Sequence, residues 1–309
     1  MTSSVEHPSS APWGTSDSPL DCPHVAIIFE GGGMRNSYTA GAVQALIDHK
    51  VNPGWVGGVS AGTTHVVNFL IKDRTRARSS FVDFVEDPRF GGWKTFARGQ
   101  GYFNTQFIYS DAVMPGEIAE MDFDAFMAST PQFALGALRA DTGTMTWWRR
   151  ENVHTLEELS AYTRASSTIP FFMPVAKVDG QSYYDGAMGP TGGFAYDAAI
   201  EDGFSKFLFI LTRPRSFRRE PMPQPRLIRS YFRKEPAIAE ALLQRAERYN
   251  RSKEKIARWE EEGTAMVFYP DQMPVHNKER NVEKLQRSYQ MGVNQVAREW
   301  PQWEEFLRR

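Results

Sequence analysis

The sequence predicts an α/β fold built on a mainly parallel sheet, and two observations near its beginning carry this prediction. The almost wholly apolar run Val25–Phe29 is typical of a strand that is buried on both faces, as strands of parallel sheets are. Strand and helix patterns then alternate along the chain, which is the arrangement of βαβ units. With 309 residues, the chain is long enough for one large domain or a domain with an extension.

The remaining elements follow in order. The apolar positions within 38–48 predict a helix, and Asn52-Pro53-Gly54 is expected to break the chain before a strand at 55–59. A second apolar helical face at 63–72 completes the first βαβα unit. The later patterns predict a hairpin of strands at 133–140 and 145–148, a helix at 156–163, a strand at 206–211, a long helix at 237–262, a strand at 265–269, and two closing helices at 281–292 and 295–307.

Composition divides the chain into three parts. Residues 1–23 are rich in Ser, Pro and Thr and lack periodicity, so we expect a disordered N-terminal tail. Residues 24–213 are expected to form the main domain, in which the poorly patterned stretch 74–130 supplies short helices and covering loops. Residues 214–309 are expected to form a basic linker and a mostly helical C-terminal extension.

Composition and charge also exclude several classes of protein. The net charge of −1 gives no general attraction to nucleic acid, and no nucleic-acid partner is expected. The single cysteine, Cys22, excludes a disulfide framework and a Cys-rich zinc site, and the histidines lack metal-ligand spacing, so neither a metal nor a cofactor is expected. We see neither a targeting signal nor an apolar stretch of roughly 20 residues, and therefore expect a cytoplasmic protein.

One short motif points to nucleophilic catalysis. Gly58-Val59-Ser60-Ala61-Gly62 matches the G-x-S-x-G nucleophile elbow, in which a serine is exposed on a sharp turn between a strand and a helix. The predicted strand before the motif and the predicted helix after it supply that context. The alternative is that Ser60 is only a turn residue that caps the helix.

A glycine run is placed where it can complement such a nucleophile. Gly31-Gly32-Gly33-Met34-Arg35 follows the first predicted strand, and successive backbone N–H groups there can point at one anion, as in an oxyanion hole. A dinucleotide-binding turn would need a glycine where this chain has Asn36. A serine nucleophile also needs a base, and Asp185 is the candidate, although Asp-Gly is a common turn pair.

Taken together, these residues resemble the patatin-like phospholipase family. The likeness rests on four motifs in the family's order: Glu30–Arg35, Gly58–Gly62, Ala165-Ser166-Ser167-Thr168-Ile169-Pro170 and Asp185-Gly186-Ala187. It covers about residues 25–213. The C-terminal region is similar to the extension of one bacterial branch of the family, chiefly through 285–292.

The resemblance implies a three-layer α/β/α fold and a serine acyl-ester hydrolase that acts on phospholipids or related acyl esters. By motif, Ser60 is the implied nucleophile of a Ser–Asp dyad and Asp185 its general base. The amides of Gly32 and Gly33, with Gly31 and Met34 as further members, are the implied oxyanion hole. The supporting motif residues are Arg35, Gly58, Gly62, Gly186 and Ala187.

The chain departs from the family pattern at two positions. Asn36 stands where the family often has glycine, and Glu30 replaces a frequent aspartate. Because asparagine tolerates positive φ better than most residues, we expect a slightly altered loop rather than an inactive enzyme.

Two other functions stay open. Ser60, Asp185 and His276 stand in the order of a histidine-triad α/β-hydrolase, although the single helix that fits between Gly33 and Ser60 favours the dyad. The other alternative is a catalytically silent lipid-binding protein that has kept the fold.

A basic segment raises the question of a membrane partner. Residues 213–234 contain eight Lys or Arg residues and one acidic residue. One interpretation is a solvated linker. The other is peripheral contact with an anionic membrane at its inner face, in which basic side chains meet lipid headgroups and apolar side chains insert. The apolar candidates are Phe217, Leu227, Ile228, Tyr231 and Phe232. No pattern indicates the oligomeric state, the headgroup or the acyl chain.

Overall fold

The computed structural model describes residues 12–16 and 18–309. The predicted N-terminal tail therefore lies outside the described residues at 1–11 and 17. Where the tail is described, it contacts the domain: Trp13 Nε1 donates a hydrogen bond to Asp48 Oδ2 at 3.0 Å. The tail prediction is wrong for the four residues before His24, which belong to the first strand. The physical reason is that buried and exposed side chains alternate here as in a strand, with Leu20 and Cys22 buried and Asp21 and Pro23 exposed. The overall composition of the segment does not reveal this alternation.

Strands and helices alternate along most of the chain. The strands are β1 (Leu20–Phe29), β2 (Val51–Val59), β3 (Gln132–Arg139), β4 (Met145–Trp148), β5 (Ala176–Val178), β6 (Gln181–Asp185), β7 (Lys206–Ile210) and β8 (Ala265–Phe268). The helices are α1 (Asn36–Asp48), α2 (Ala61–Leu70), α3 (Arg74–Ser79), α4 (Trp93–Ala97), α5 (Phe123–Ala128), α6 (Leu156–Ser166), α7 (Tyr196–Glu201), α8 (Pro225–Tyr231), α9 (Pro236–Glu261) and α10 (Val282–Arg308).

All eight strands join one sheet in the order β5-β6-β3-β2-β1-β7-β8, with β4 also paired to β3. Strands β3, β2, β1, β7 and β8 are parallel, whereas β4 and β6 pair with β3 in the antiparallel direction and β5 pairs with β6 likewise. The predicted α/β class with a mainly parallel sheet is therefore confirmed, as is the hairpin of β3 and β4.

Strand β1 shows how the sheet is covered on both faces. Ile27 and Phe29 share a core with residues of α1, α2 and α10. Ala26 and Ile28 point to the opposite face and share a core with residues of α7 and α9. This alternation places helices on both sides of the sheet and gives the predicted three layers.

The predicted break at Asn52-Pro53-Gly54 is wrong, because these residues lie inside β2. Asn52 and Pro53 pair with Asp21 and Cys22 in the first part of β1, ahead of a shift in register between Cys22 and Ala26. A Cβ atom on Gly54 would lie 2.0 Å from the carbonyl oxygen of Pro23, so this glycine permits close contact of two strands rather than ending one.

The C-terminal region contributes to both the sheet and one helical layer. Strand β8 extends the parallel sheet beside β7, and α10 packs along α1. The prediction of two closing helices is wrong, because α10 runs unbroken from Val282 to Arg308 through Pro301. Gly292 lies inside this helix. A Cβ atom there would lie 1.9 Å from the Tyr38 carbonyl oxygen, so the glycine allows α10 to pack closely against α1. The boundary drawn at 213 and 214 stays a prediction.

Candidate active site

Ser60 occupies a strained turn between β2 and α2. Its backbone angles are φ 54° and ψ −138°, a left-handed conformation that costs a side-chain-bearing residue about 1–3 kcal/mol. Two motif glycines make this turn possible by close packing. A Cβ on Gly62 would lie 2.3 Å from the Phe29 carbonyl oxygen, and a Cβ on Gly31 would lie 2.6 Å from Ser60 Cβ. The turn therefore fits against the end of β1 only with glycine at both positions.

Ser166 holds the turn from the other side. Its hydroxyl accepts a hydrogen bond from Ser60 N at 2.8 Å and donates one to the Gly136 carbonyl oxygen. Ser166 is fully buried at the end of α6. It belongs to the Ala165–Pro170 motif, so the sequence signal was visible, but its role as a link between the elbow and β3 needed the structure.

Asp185 lies at the end of β6, across β3 from Ser60. Its backbone N–H donates to Thr168 O at 2.8 Å, and its Oδ1 accepts from Ala187 N at 2.8 Å. A Cβ on Gly186 would lie 2.4 Å from the Gly136 carbonyl oxygen, so this glycine permits close approach of the strands. The structure thereby brings the predicted Ser60 and Asp185 together.

Burial is the largest influence on the Asp185 carboxyl and raises its pKa above the ordinary 3.8. The charge of Arg245, the amide of Ala187 and a hydrogen bond from the Ser60 hydroxyl oppose this shift. The Ser60 hydroxyl is thus close enough to the Asp185 carboxyl to influence its pKa.

The glycine loop turns sharply beside Ser60. Gly33 has a φ of 55°, and a Cβ on Gly32 would lie 2.7 Å from Thr212 Oγ1. The backbone N–H groups of Gly31, Gly32 and Gly33 donate to no described residue. Those three groups consequently have no acceptor within the described part of the chain.

The amide of Met34 is a different case. It donates to the Asn277 carbonyl oxygen at 3.1 Å, so its N–H is already used. The structure therefore contradicts the expectation that this amide serves as an oxyanion donor. The reason is a long-range contact from the C-terminal region, which the local motif does not reveal.

The two departures from the family motif are both accommodated. Asn36 has an ordinary φ of −67°, so no positive φ is needed there. Its Nδ2 donates to the Gly33 carbonyl oxygen at 3.3 Å and ties α1 to the loop. Glu30 accepts hydrogen bonds from Thr212 N at 2.6 Å and from the Tyr249 hydroxyl at 3.0 Å. Neither residue distorts the glycine loop.

His276 does not join the site. Its side chain is 65% exposed, its Nδ1 accepts from Lys278 N, and its Nε2 lies 3.6 Å from Glu279 Oε2. It has no hydrogen bond to Ser60 or Asp185 among the described residues. The geometry of a Ser-Asp-His triad is therefore missing in the described part of the chain.

An apolar pocket opens beside Ser60. Residues of the predicted covering stretch 74–130 supply much of its wall. Its aromatic and aliphatic lining includes Val67, Phe81, Phe84, Phe90, Phe103, Ile108, Val113, Met121, Ile169 and Met173. A wall of this composition suits a hydrocarbon chain.

Two further properties concern metals and membranes. Within residues 12–16 and 18–309, no group of three or more His, Cys, Asp or Glu side chains is arranged to hold a metal ion. The helices of the same part of the chain all lack the combined length and apolarity that crossing a bilayer requires.

The patatin-like phospholipase family model matches residues 27–195, more than half of the chain. The chain belongs to the patatin-like phospholipase family. The matched region contains both Ser60 and Asp185. The model of a domain of unknown function, DUF6363, matches residues 235–308, which include α9, β8 and α10.

Two individual proteins are similar to this patatin-like chain. Uncharacterized protein YjjU of Escherichia coli (strain K12) is 25% identical over 199 residues, or 63% of this chain and 54% of that protein. The chain thus spans about half the length of the curated relative it matches. The crystal structure of VipD from Legionella pneumophila aligns with 89% of this chain and 66% of that one, with a TM-score of 0.45 and 12% identity.

The link made by Ser166 can be tested against a neighbour on the same helix. Ser166→Ala should lower the free energy of unfolding by about 1–3 kcal/mol, because it leaves the buried Ser60 N–H and Gly136 C=O unpaired. Ser160→Ala is the matched control, since Ser160 is also buried on α6 but its hydroxyl has no partner among the described residues. Urea denaturation measures the free energy of unfolding of both variants. Equal losses would show that the Ser166 hydroxyl contributes no more to stability than an unpaired hydroxyl on the same helix.

Proposed function

We propose that this protein is a serine acyl-ester hydrolase that cleaves phospholipids or related lipid esters through a Ser60–Asp185 dyad. The observation that carries the proposal is the strained turn that holds Ser60 one strand away from the buried Asp185, close enough for its hydroxyl to influence the pKa of that carboxyl. Free glycine N–H groups lie on the adjacent loop after β1, and an apolar pocket opens beside Ser60. The proposed nucleophile, base, oxyanion donors and acyl-chain pocket would therefore lie at one point of the fold.

The first half of the reaction forms an acyl-enzyme. Ser60 Oγ attacks the ester carbonyl carbon while Asp185 accepts the hydroxyl proton. The carbonyl oxygen becomes an oxyanion that accepts hydrogen bonds from the N–H groups of Gly32 and Gly33. When the intermediate collapses, the bond to the alcohol breaks and Asp185 returns the proton to the departing oxygen.

The second half releases the fatty acid. A water molecule gives its proton to Asp185 and attacks the acyl carbonyl, and the same glycine amides bind the second oxyanion. Collapse of this intermediate breaks the bond to Ser60, which recovers its proton. The strained elbow keeps Ser60 Oγ at one place in both halves, so neither half requires rearrangement of the nucleophile.

A set of single substitutions tests the dyad. Ser60→Ala and Asp185→Asn should each lower kcat/KM for p-nitrophenyl acyl esters by about 10³-fold or more, because each removes one partner of the proton transfer. His276→Ala should leave the activity unchanged, since its side chain points away into solvent. Loss in all three variants would favour the triad instead.

Covalent labelling separates turnover from mere binding. A fluorophosphonate should label the wild-type protein and leave Ser60→Ala unlabelled. A wild-type protein that hydrolyses no ester and takes no label would support the catalytically silent lipid-binding protein.

The pH dependence of kcat/KM should reflect the Asp185 environment. The general base acts only when ionised, so activity must fall as the pH drops through its folded-state pKa. Because burial raises that pKa, the acidic limb should lie above the usual aspartate value of 3.8. The pH profile with a neutral ester measures it. A limb at or below 3.8 would contradict the role of burial.

We further propose that the surface around α8 contacts anionic membranes. Leu227 and Tyr231 are 63% and 65% exposed, and Phe171 lies against Tyr231 with 4.8 Å between ring centres. Ile228 and Phe232 are buried, and Phe217 packs on Tyr249, so these three do not serve for insertion as the sequence suggested. Arg226 and Arg229 lie on α8, Arg233 and Lys234 follow it closely, and all four are exposed. The expected cytoplasmic location stays a prediction.

Vesicle co-sedimentation tests this contact. The double variant Leu227→Ser with Tyr231→Ser should bind phosphatidylglycerol vesicles several-fold more weakly than wild type, because two exposed apolar side chains are lost. Ile200→Ser is the control, since Ile200 is 46% exposed on α7. If the bound fraction changes neither with salt concentration nor with the double substitution, the proposed membrane contact is wrong.

A further inference from the structure

The wall of the apolar pocket beside Ser60 contains a charged side chain. Arg76 belongs to α3, lines the pocket and is only 7% exposed. Its Nε donates to the Ala119 carbonyl oxygen at 3.3 Å, and its Nη1 donates to Asn68 Oδ1. Its third nitrogen, Nη2, donates to no described residue. The protein therefore holds the guanidinium group in place and leaves part of its donor fork unused.

The other two arginines of α3 have ion pairs that Arg76 lacks. Arg74 Nε lies 3.0 Å from Asp48 Oδ2, and Arg78 Nη1 lies 2.8 Å from Asp83 Oδ2. Both of these side chains are more exposed than Arg76. Within the described part of the chain, the most deeply buried arginine of this helix is thus the one without a carboxylate partner.

The charge of Arg76 is retained near neutral pH. Burial is the main cause that lowers its pKa to about 10, and the charges of Asp73 and Tyr109 oppose this shift. The Asp73 carboxylate accepts from the Arg76 backbone N–H at 2.8 Å and so caps α3 instead of pairing with the guanidinium. A buried charge without a counter-ion is costly, so such a group is expected where an anion binds.

Helix α2 indicates how far Arg76 lies from the nucleophile. Ser60, Thr64 and Val67 line the pocket at intervals of about one helical turn. The next residue, Asn68, holds Arg76. At about 1.5 Å per residue, Asn68 lies about 12 Å along the helix from Ser60. Arg76 is therefore found at the end of the pocket that is remote from the nucleophile.

Helix α6 supplies a second polar group without a partner. Ser166 fixes the end of this helix at the Ser60 turn, and Ser160 lies about 9 Å further back at about 1.5 Å per residue. Ser160 lines the pocket and is 2% exposed, and its hydroxyl has no partner among the described residues. Away from Ser60, the otherwise apolar wall thus contains an unused guanidinium nitrogen and an unused hydroxyl.

An anion that reaches Arg76 must belong to the acyl chain. In the proposed hydrolysis the ester carbonyl lies at Ser60 and the acyl chain fills the pocket, so only the distal end of that chain comes to the guanidinium. A carboxylate is the terminal anion that an acyl chain can carry, and its two oxygens match the donor fork of arginine. Bonds of about 1.5 Å at angles of about 111° advance about 1.25 Å each, so about 12 Å corresponds to about nine carbon atoms.

We propose that Arg76 binds a carboxylate at the distal end of the acyl chain, which makes lipid esters of dicarboxylic acids of about nine carbon atoms the preferred substrate class. This inference rests on the proposed ester hydrolysis at Ser60. A chain that ends in a methyl group leaves the guanidinium desolvated and unpaired. A terminal carboxylate supplies the ion pair that the other arginines of α3 already have.

Two soluble esters test the inference. The p-nitrophenyl ester of nonanoic acid and the p-nitrophenyl half ester of nonanedioic acid present acyl chains of equal length, without and with the terminal carboxylate. Wild type should have the higher kcat/KM for the half ester. Arg76→Gln should lower the ratio of kcat/KM for the half ester over the nonanoate ester by about 10-fold or more, as expected for a lost charged hydrogen bond. Arg76→Lys should lower the ratio less, because it keeps the charge and loses the fork.

Arg74→Gln is the matched control. Arg74 stands on the same helix but pairs with Asp48 outside the pocket wall, so the ratio should not change. Thermal unfolding checks that each variant is folded, and the wild-type ratio tests the site without any substitution. If wild type prefers the nonanoate ester, or if Arg76→Gln lowers both activities equally, the carboxylate site is overturned.

Binding separates failure of this inference from failure of the proposed hydrolysis. Titration calorimetry with the Ser60→Ala protein compares the methyl half ester of nonanedioic acid with methyl nonanoate. The half ester should bind more tightly, whether or not wild type hydrolyses any ester, and equal binding would overturn the site. The nonanoate anion should bind more weakly than the half ester. If it binds as tightly, the site takes a free fatty acid and the assignment to the acyl chain of the substrate is wrong.

Discussion

The structure depends on one constraint, which is the packing of the Ser60 turn against the end of β1. A residue with a side chain is held at a φ of 54°, and this conformation persists only because its surroundings leave it no alternative. Gly31 and Gly62 remove the atoms that would collide, while Ser166 pairs the Ser60 amide and joins it to β3. Since β3 also pairs with β6, the same contact fixes the distance at which Asp185 stands.

The C-terminal region makes hydrogen bonds to the segments that form this arrangement. Asn277 accepts the Met34 amide, Tyr249 holds Glu30, and Arg245 holds the Ala187 carbonyl. Each contact falls on a motif of the matched family domain, at the glycine loop or beside Asp185. The region matched by the unknown-function model thus limits how the glycine loop and the Asp185 turn can move. A shorter patatin-like chain would have to hold those two segments by other means.

Local signals predicted much of the fold and the site, and contacts distant in sequence account for the rest. The apolar run of β1, the G-x-S-x-G turn and the β3–β4 hairpin were readable because their patterns arise within a few residues. The break predicted at Pro53 was wrong because this part of β2 pairs with Leu20–Cys22, and the composition of that segment had indicated a tail rather than a strand. The helix end predicted at Gly292 was wrong because a glycine that ends a helix and a glycine that allows two helices to pack closely give the same sequence signal. Only the contact with Tyr38 distinguishes them. The use of the Met34 amide by Asn277, 243 positions away, leaves no mark in the motif.

Apolar and charged surroundings both influence the pKa of Asp185. The apolar pocket and the surrounding core exclude water, which favours the neutral carboxylic acid and raises its pKa. Arg245 and Arg219 act in the opposite direction and favour the carboxylate. In the proposed mechanism both influences act together, because burial favours uptake of the serine proton and the arginine charges favour the carboxylate that accepts it.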